Sequence, residues 1–365
     1  MRFAFTEEQD MLRDMVRSAL ESEASLPKVR RWAEAQDSAE FDRFVASQGW
    51  AGLGWPEALG GQGGGLLEQA VLFEELGRSA APSGVLLAAN AMALSLLLPL
   101  ASSPDARPGV AALGAGSETA AVLAPAGQAL DHRAMSAGVR CVDGLLSGQV
   151  PWVLAAAQVA HWLVPVREGD GVSLWRLPRD AAGVQLQPRS LIDRTRALAD
   201  VQLSQVRGQC LGRLDAAQLE HAQARVAVLL AAESLGLARR MLAMTVEYVG
   251  QRVQFGVPVG SFQAVKHCAA DMLVDTEAVH SGVYFAAWAL QEGEADGLMH
   301  AWIAKATATE AAVRCADRAL QLHGAIGYTW EHDLQLFYKR AKLNLELGGP
   351  PRHYRERIAA ALALA

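Results

Sequence analysis

Several features that define common protein classes are missing from this chain of 365 residues. Its four cysteines, Cys141, Cys210, Cys268 and Cys315, show no Cys-x-x-Cys spacing. Such scattered cysteines favour reduced, buried thiols over disulfides or zinc ligands, and we expect no metal site. The formal net charge is -6 and no basic stripe stands out, which argues against a nucleic-acid partner because phosphate binding requires clustered cations. A small-molecule substrate is the better expectation.

Membrane-targeting signals are also missing. The N-terminal segment Met1–Glu8 has no apolar stretch of the kind found in signal peptides. The longest apolar run, Val85–Leu98, contains Asn90 and stops at Pro99, and it is shorter than the roughly 18 to 20 residues that a membrane-spanning helix needs. We therefore predict a buried helix here, no membrane span and a cytoplasmic location.

A glycine-rich segment, Gly60–Gly65, lacks the context of a phosphate-binding loop. No Gly-Lys-Ser/Thr follows it and no buried strand precedes it. No Gly-x-Gly-x-x-Gly stands between a strand and a helix either, so a Rossmann-type dinucleotide site is not supported. We predict a connector that leads into a helix from Leu66 to Gly77.

What is present is a helix-rich chain with a strand-rich middle. Thr6 and Gln9 form a capping-box pattern that predicts the start of a helix. From about Ala120 to Val206, short apolar runs alternate with glycine-containing turns, which predicts strands. Long helical patterns return after Asp215, which has the position of an N-cap.

This order predicts an α+β fold that is mostly α. The expected domains are an N-terminal helical domain (1–115), a middle β-domain (116–212) and a C-terminal four-helix bundle (213–365). Few architectures insert a β-barrel or sandwich between helical domains, so the order alone is informative.

Two segments of the C-terminal third carry a more specific pattern. Arg252–Gly256 is followed by Phe262 and Gln263, and Gln321–Tyr328 comes later in the chain. With weaker matches along the whole chain, this pairing resembles the acyl-CoA dehydrogenase family. The resemblance implies an acyl-CoA dehydrogenase-like fold and a FAD-dependent enzyme that desaturates the α,β-bond of a CoA thioester.

The resemblance also implies which residues reach the cofactor. An arginine at the position of Arg252 crosses a dimer interface to the neighbour's FAD pyrophosphate, which suits a permanently charged, forked guanidinium. Gln254 belongs to the same segment, and a phenylalanine at the position of Phe255 packs near the adenine. Without the resemblance, Arg252 reads as a solvated residue at a helix end.

The second segment has an equivalent assignment. Gln321 and Gly324 lie where the backbone approaches the neighbour's cofactor, and glycine suits positions where a side chain would intrude. Ala325 replaces a usual glycine there. The alternative is that Gln321 and His323 form a surface pair beside a C-cap glycine.

The half of the pattern that would hold the chain's own flavin is largely missing. Leu123–Leu130 stands where the family has Thr-Glu-Pro and Gly-Ser-Asp, and the polar groups are gone. Trp152 keeps the position of an aromatic near the isoalloxazine, or it is a buried aromatic of the β-domain. Leu154 replaces a threonine whose hydroxyl bonds the ring.

The family's catalytic glutamate is missing as well. Gapless alignment from Tyr338–Lys342 places Gly348 at its position, and the position used by some members falls on Val226. Neither residue transfers a proton, so we assign no catalytic residue. Glu346 would serve if the register shifted by two residues, and Glu233 lies on a face of the helix similar to that of Val226. The ordinary alternative is that both glutamates are solvated.

The acyl group cannot be read from the sequence. Leu96, Leu97 and the 74–82 region are candidates for the acyl cavity only by position in the family. A charge run of Lys339, Arg340 and Lys342 would suit CoA phosphates, but such a run is usually a solvated helix face.

The residues that would reach a neighbour's cofactor are retained, whereas those for the chain's own flavin and catalytic base are missing. This combination suggests a heteromer. The chain resembles the base-lacking subunit of bacterial heterotetrameric acyl-CoA dehydrogenases that act on steroid or bile-acid side chains. The implied partners are an acyl-CoA thioester, a paralogous subunit that supplies the glutamate, and an acceptor like electron-transfer flavoprotein. The alternatives are a self-sufficient homomeric enzyme with a relocated carboxylate and a non-catalytic scaffold.

Overall fold

The N-terminal part of the molecule is helical. A computed structural model describes residues 5–130 and 138–363. Its first elements are α1 (Glu7–Glu23), α2 (Leu26–Ala35), α3 (Ala39–Ser47) and α4 (Leu66–Arg78). The predicted capping box is confirmed, because the Gln9 amide donates to Thr6 Oγ1 at 3.3 Å and the Thr6 amide donates to Gln9 Oε1 at 3.1 Å.

The longest apolar run forms one buried helical stretch. It consists of α5 (Gly84–Leu86), a π-helical segment (Leu87–Ala93), α6 (Leu94–Leu97) and a closing 3-10 turn (Leu98–Leu100). Asn90 is buried in it and donates through Nδ2 to the carbonyl oxygens of Ala51 at 3.1 Å and Leu53 at 2.6 Å. Helix α7 (Arg107–Gly114) follows. Among the described residues, no helix combines the length and apolarity needed to cross a membrane.

The middle of the chain forms two four-stranded sheets. The first has the order β1 (Ala120–Val122), β4 (His161–Glu168), β5 (Gly171–Pro178) and β8 (Gln209–Leu214), with β1 parallel to β4. The second has the order β2 (Val139–Val142), β3 (Leu145–Leu154), β7 (Leu198–Arg207) and β6 (Val184–Arg189), all antiparallel.

Helices return after β8. They are α8 (Ala216–Gln251), α9 (Gln263–Gln291), α10 (Gly297–His323), α11 (Leu334–Glu346) and α12 (Pro351–Ala361). A short hairpin of β9 (Val253–Gln254) and β10 (Val257–Pro258) connects α8 to α9. The Asp215 side chain caps α8 as predicted, since its Oδ1 accepts from the Gln218 amide at 2.8 Å. The α+β, mostly helical fold class is confirmed.

Two glycines let the N-terminal and C-terminal helices touch through their backbones. A Cβ on Gly77 of α4 would lie 2.0 Å from the Glu233 carbonyl oxygen, and one on Gly236 of α8 would lie 1.9 Å from the Glu74 carbonyl oxygen. Any side chain at either position would push α4 and α8 apart.

Some sequence expectations need correction. Only Cys315 is buried, whereas Cys141 and Cys268 are partly exposed and Cys210 is exposed, because their strands and helix present them to the outside. Strand β8 runs to Leu214, two residues beyond the expected domain limit at 212. The division at 115/116 and 212/213 stays a prediction about folding units.

Candidate active site

The turn between α11 and α12 holds Gly348 in a fixed conformation. Gly348 has φ +67°, in the left-handed region that favours glycine. Its amide donates to the Ala126 carbonyl oxygen at 2.8 Å, and its own carbonyl accepts from the Tyr354 hydroxyl at 2.5 Å. Both backbone groups are therefore bonded within the chain, and the turn joins the β-domain loop to the helical bundle.

Gly348 faces Val226 of α8. A Cβ on Gly348 would lie 3.7 Å from Val226 Cγ1 and 2.9 Å from Leu230 Cδ1. The two positions at which the resemblance places a catalytic glutamate thus meet across one narrow gap. Valine, leucine and glycine line that gap, and none of them accepts a proton.

Glu233, the candidate glutamate that follows Val226 along α8, is not solvated. It is fully buried, and its carboxylate accepts from Arg196, from Arg340 Nη1 at 2.7 Å and from Asn344 Nδ2 at 2.9 Å. Asp193 completes the cluster by accepting from Arg340 Nε at 2.7 Å. Burial acts to raise the pKa of Glu233, but the two guanidinium charges outweigh it and hold that pKa below its usual range. A carboxylate bound in this way is a structural anion.

A buried lysine lies beneath the Gly348 turn. Lys305 Nζ on α10 donates to the carbonyl oxygens of Asn344 at 2.9 Å, Gly349 at 3.3 Å and Leu345 at 3.4 Å. A cation at the C-terminal end of α11 also suits the helix dipole. Burial lowers the pKa of Lys305 to about 7, against a smaller opposing effect of the Glu346 charge. Lys305 therefore stabilises the turn through hydrogen bonds to its carbonyl oxygens.

Glu346, the other glutamate candidate, is exposed, whereas part of the Lys339–Lys342 charge run is buried. Glu346 is exposed at the end of α11, two residues before Gly348, and its catalytic role stays a prediction. The expectation of a solvated face for Lys339, Arg340 and Lys342 is wrong for Arg340, which is fully buried in the Glu233 cluster. Lys342 pairs with Asp317 at 3.1 Å.

The β-domain loop and Trp152 form the surface next to the turn. The Ala126 amide donates to the Trp152 carbonyl oxygen at 2.9 Å, and the Trp152 amide donates to Asp200 Oδ1 at 3.0 Å. The Trp152 side chain is 42% exposed and the Arg189 guanidinium lies 5.5 Å from its ring, so the reading of Trp152 as a buried aromatic is wrong. Leu154 is buried.

The hairpin after α8 projects outward. Phe255 sits at its tip with φ 54° and is 94% exposed, in edge contact with Phe262 at a centroid distance of 6.2 Å. Gln254 Nε2 donates to the neighbouring Val253 carbonyl oxygen. Within residues 5–130 and 138–363, the Arg252 guanidinium has no hydrogen-bond or ionic partner. Exposed apolar side chains extend from the hairpin onto α8 and α9: Val246, Val253, Val257, Leu273 and Val274.

The Gln321–Tyr328 segment divides into an exposed and a buried part. Gln321, Gly324 and Ala325 are exposed, and a Cβ on Gly324 would meet no atom within 4 Å. His323 is buried, stacks on Tyr248 at a centroid distance of 4.5 Å and bonds through Nδ1 to the Ala319 carbonyl oxygen. The surface-pair alternative is therefore wrong for His323, because that ring packs inward while Gln321 points out.

Comparison with known proteins identifies this arrangement. Family models for the acyl-CoA dehydrogenase N-terminal domain and C-terminal domain match residues 6–106 and 215–363. Acyl-CoA dehydrogenase IpdE2 of Mycobacterium tuberculosis is 35% identical over 358 residues, which are 96% of each chain. The chain belongs to the acyl-CoA dehydrogenase family. The predicted family and enzyme class, an acyl-CoA oxidoreductase, are confirmed.

Two solved structures are similar to this one over nearly the whole chain. The ChsE4–ChsE5 complex from Mycobacterium tuberculosis shares 25% identity with a TM-score of 0.87, covering 100% of both chains. The steroid ACAD Tcur3481–Tcur3483 shares 27% identity with a TM-score of 0.84, covering 98% of both.

The sequence resemblance points to two surfaces of this chain as flavin contacts, and their residues differ in how well they would fit a flavin. On the β-domain side, the amides of Ala126 and Gly348 are already bonded and Leu154 offers no hydroxyl. These residues do not fit a flavin ring that needs polar partners. On the hairpin side, the side chains of Arg252 and Gln321 have no hydrogen-bond or ionic partner among the described residues, and Gly324 leaves open space, which fits an anionic cofactor.

Sequence reasoning missed Lys305 and the Arg196–Asp193 half of the buried cluster. One signal was available for Lys305, since it lies in line with Ala301, Ala308 and Ala312 on an apolar helical face. A charge in the middle of such a face indicates a bound or capping role. No comparable signal marks Arg196, which lies in a loop and meets Glu233 only through the tertiary fold.

Proposed function

We propose that this acyl-CoA dehydrogenase subunit completes the FAD site of a paralogous partner, which supplies the catalytic glutamate. The partner-facing residues are Arg252, Gln254 and Phe255 of the hairpin with Gln321, Gly324 and Ala325 of the second segment. The substrate is a CoA thioester of a steroid or bile-acid side chain. An acceptor like electron-transfer flavoprotein would receive the electrons.

The observation that carries the proposal is that Gly348 faces Val226, whose Cγ1 lies 3.7 Å from the position that a Cβ on Gly348 would take. α,β-Desaturation removes a proton from the α-carbon, and this weak acid needs a positioned carboxylate as base. Both positions that supply one in the family are apolar here, and Leu230 Cδ1 lies 2.9 Å from the position that a Cβ on Gly348 would take. Glu233, a buried carboxylate on the same helix as Val226, is neutralised by two arginines.

The backbone of the turn supports the same conclusion. Hydrogen bonds to the thioester oxygen stabilise the enolate charge that develops as the proton leaves. The Gly348 amide, which lies beside the missing base, already donates to Ala126. It has no free hydrogen to offer a substrate unless the turn opens.

The hairpin side supports a shared cofactor. A bound FAD would accept the hydride from the β-carbon. Arg252 would hold its pyrophosphate because a guanidinium bonds phosphate oxygens in pairs. The exposed apolar side chains around Phe255 suit burial against a second protein, since large exposed apolar patches mark such contacts. Similarity to the ChsE4–ChsE5 complex and to the steroid ACAD Tcur3481–Tcur3483 favours a heteromer and a steroid-type acyl group.

Co-expression with candidate paralogues tests the proposal. Flavin absorbance is expected only when the chain is purified with its partner. In that complex, Arg252→Ala should weaken FAD binding by about 10-fold to 100-fold, because bonds to charged groups are worth roughly 1.5 to 3 kcal/mol. Arg167→Ala removes another exposed arginine, on β4, and should leave FAD content unchanged.

Glu346→Gln separates the proposal from the self-sufficient alternative. We expect the turnover of the complex to be unchanged. A flavin-loaded chain that is active alone and is inactivated by Glu346→Gln would establish the relocated base instead. A chain that stays colourless in every combination, while still binding its paralogue, would establish a scaffold.

A further inference from the structure

An exposed tryptophan lies against two cationic side chains outside the candidate active site. Trp330, in the segment before α11, is 64% exposed. Lys339 Nζ lies 3.5 Å from the centre of its ring, and Arg194 Cζ lies 5.6 Å from it. The indole thus brings two positive charges from distant parts of the chain to one place.

Neither charge is neutralised by a carboxylate. Within the described part of the chain, no Asp or Glu oxygen lies within 4.0 Å of the Lys339 ammonium or the Arg194 guanidinium. Among the described residues, the hydrogen bond from the Lys339 ammonium goes to the amide oxygen of Gln335. Burial lowers the pKa of Lys339, the Asp193 charge opposes this effect, and the Arg194 charge adds to it. Two like charges held together without a directly bonded carboxylate favour an anionic ligand.

A cleft of about 260 Å³ opens beside this pair. It lies between α2, the loop that contains Ile192 and Arg194, and α11. Ala33, Ile192 and Leu336 give it an apolar wall. Glu34 also lines it, Asp193 is engaged by Arg340, and Arg30 is engaged by Asp333. Among the described residues that line the cleft, Lys339 and Arg194 are therefore the cations with no carboxylate bonded to them.

We propose that this cleft binds a small organic anion whose oxyanion bridges Lys339 and Arg194 and whose apolar body packs against Ile192 and Leu336. A phosphate and a carboxylate share this chemistry. The site goes beyond the proposed function, because it requires neither flavin nor a partner subunit.

Titration calorimetry on the full chain, without flavin, tests the site. The probes are octanoate and AMP, with octanamide and adenosine as their uncharged counterparts. We expect one or both anions to bind and the uncharged compounds not to bind. Affinity should fall as salt is added, because exposed charges are screened. Binding of octanoate alone identifies a carboxylate site, and binding of AMP alone identifies a phosphate site.

Matched variants locate the binding. Lys339→Gln and Arg194→Gln should each weaken the anion by about 5-fold to 30-fold, since a partly exposed charged contact is worth less than a buried one. Lys342→Gln makes the same charge change one turn further along α11, at a lysine already paired with Asp317, and should have no effect. Arg194→Gln is at an exposed position and Lys339→Gln at a half-buried one, and both should change the melting temperature little.

Three results would overturn the proposal. One is equal binding of charged and uncharged probes, or no binding at all. Another is an equal loss of affinity in Lys342→Gln. The third is a loss of partner association in Lys339→Gln with unchanged anion affinity, which would make the cleft a protein contact.

Discussion

The turn around Gly348 and the hairpin around Phe255 have opposite characters, although the resemblance assigns the first to the position of the catalytic glutamate and the second to contact with a flavin. At the turn, backbone groups, a lysine and a glutamate are bonded within the chain and buried. At the hairpin, the Arg252 guanidinium has no hydrogen-bond or ionic partner among the described residues, and Phe255 is exposed to solvent. The first region is packed within the fold, and the second is an open surface.

Because of this difference, we expect the turn to determine the stability of the isolated chain and the hairpin to determine its association with a partner. Buried polar groups contribute to folding through partners that are costly to remove, whereas fully exposed side chains contribute little to it. Substitutions at the turn should therefore change the free energy of unfolding of the isolated chain. Substitutions at the hairpin should change association with a partner and leave unfolding nearly constant.

The largest effect is expected at Glu233. Glu233→Gln leaves Arg196 and Arg340 buried with one carboxylate fewer, and breaking such a cluster costs about 3 to 5 kcal/mol. Urea unfolding of the isolated chain measures this loss. Glu346→Gln, at an exposed glutamate, is the control and should change the free energy of unfolding by less than about 0.5 kcal/mol. Similar values for the two variants would show that the Glu233 cluster does not stabilise the fold.

Local patterns predict most of the fold. The Thr6–Gln9 and Asp215 caps, the buried Val85 stretch and the strand runs of the β-domain all form as expected, because each depends on neighbouring residues. The family pattern also identified Gly348 and Val226 as the apolar replacements for a base. Their mutual contact follows only from the packing of α8 against the α11–α12 turn.

Long-range ionic contacts could not be predicted. Glu233 and Arg340 look like ordinary surface residues of two helices, and Asp193 and Arg196 lie in a loop of the β-domain. Three separate parts of the chain must fold before these four groups meet. No residue spacing in the sequence indicates that these four side chains lie close together in the fold.

Gly348→Ala tests how tightly the turn is packed. The left-handed backbone costs a non-glycine residue about 1 to 2 kcal/mol, and the new methyl group would press on Leu230 at 2.9 Å. We expect a total loss of about 2 to 3 kcal/mol in the free energy of unfolding. Gly282→Ala, in α9 with no atom within 4 Å of the added Cβ, should be neutral or stabilising. A neutral Gly348→Ala would mean that the turn is mobile enough to admit a substrate.

Lys305 predicts a pH dependence of stability. Its folded-state pKa is about 7, well below the ordinary value of a lysine in the unfolded chain. Between these values the unfolded chain binds more protons than the folded one, so the free energy of unfolding rises with pH. From pH 7.5 to 9 the contribution should be about 1 to 2 kcal/mol. Lys305→Met removes the titrating group, and its stability should rise less over this range. Parallel curves for the two proteins would show instead that the folded-state pKa of Lys305 lies close to the ordinary value of a lysine.

Phe255→Ala should have the smallest effect on the isolated chain. The ring is 94% exposed and makes one edge contact, so the free energy of unfolding should change by less than about 0.5 kcal/mol. Phe41→Ala removes a fully buried ring and should cost about 3 to 5 kcal/mol in the same measurement. For association with the partner, Phe255→Ala should have the larger effect of the two, because a central aromatic at an interface is worth about 2 kcal/mol or more of binding. Sedimentation of the mixed subunits would detect the weakened association. If Phe255→Ala assembled as well as the unaltered chain, the hairpin around Phe255 would face solvent in the complex as well. The flavin contacts would then have to lie elsewhere.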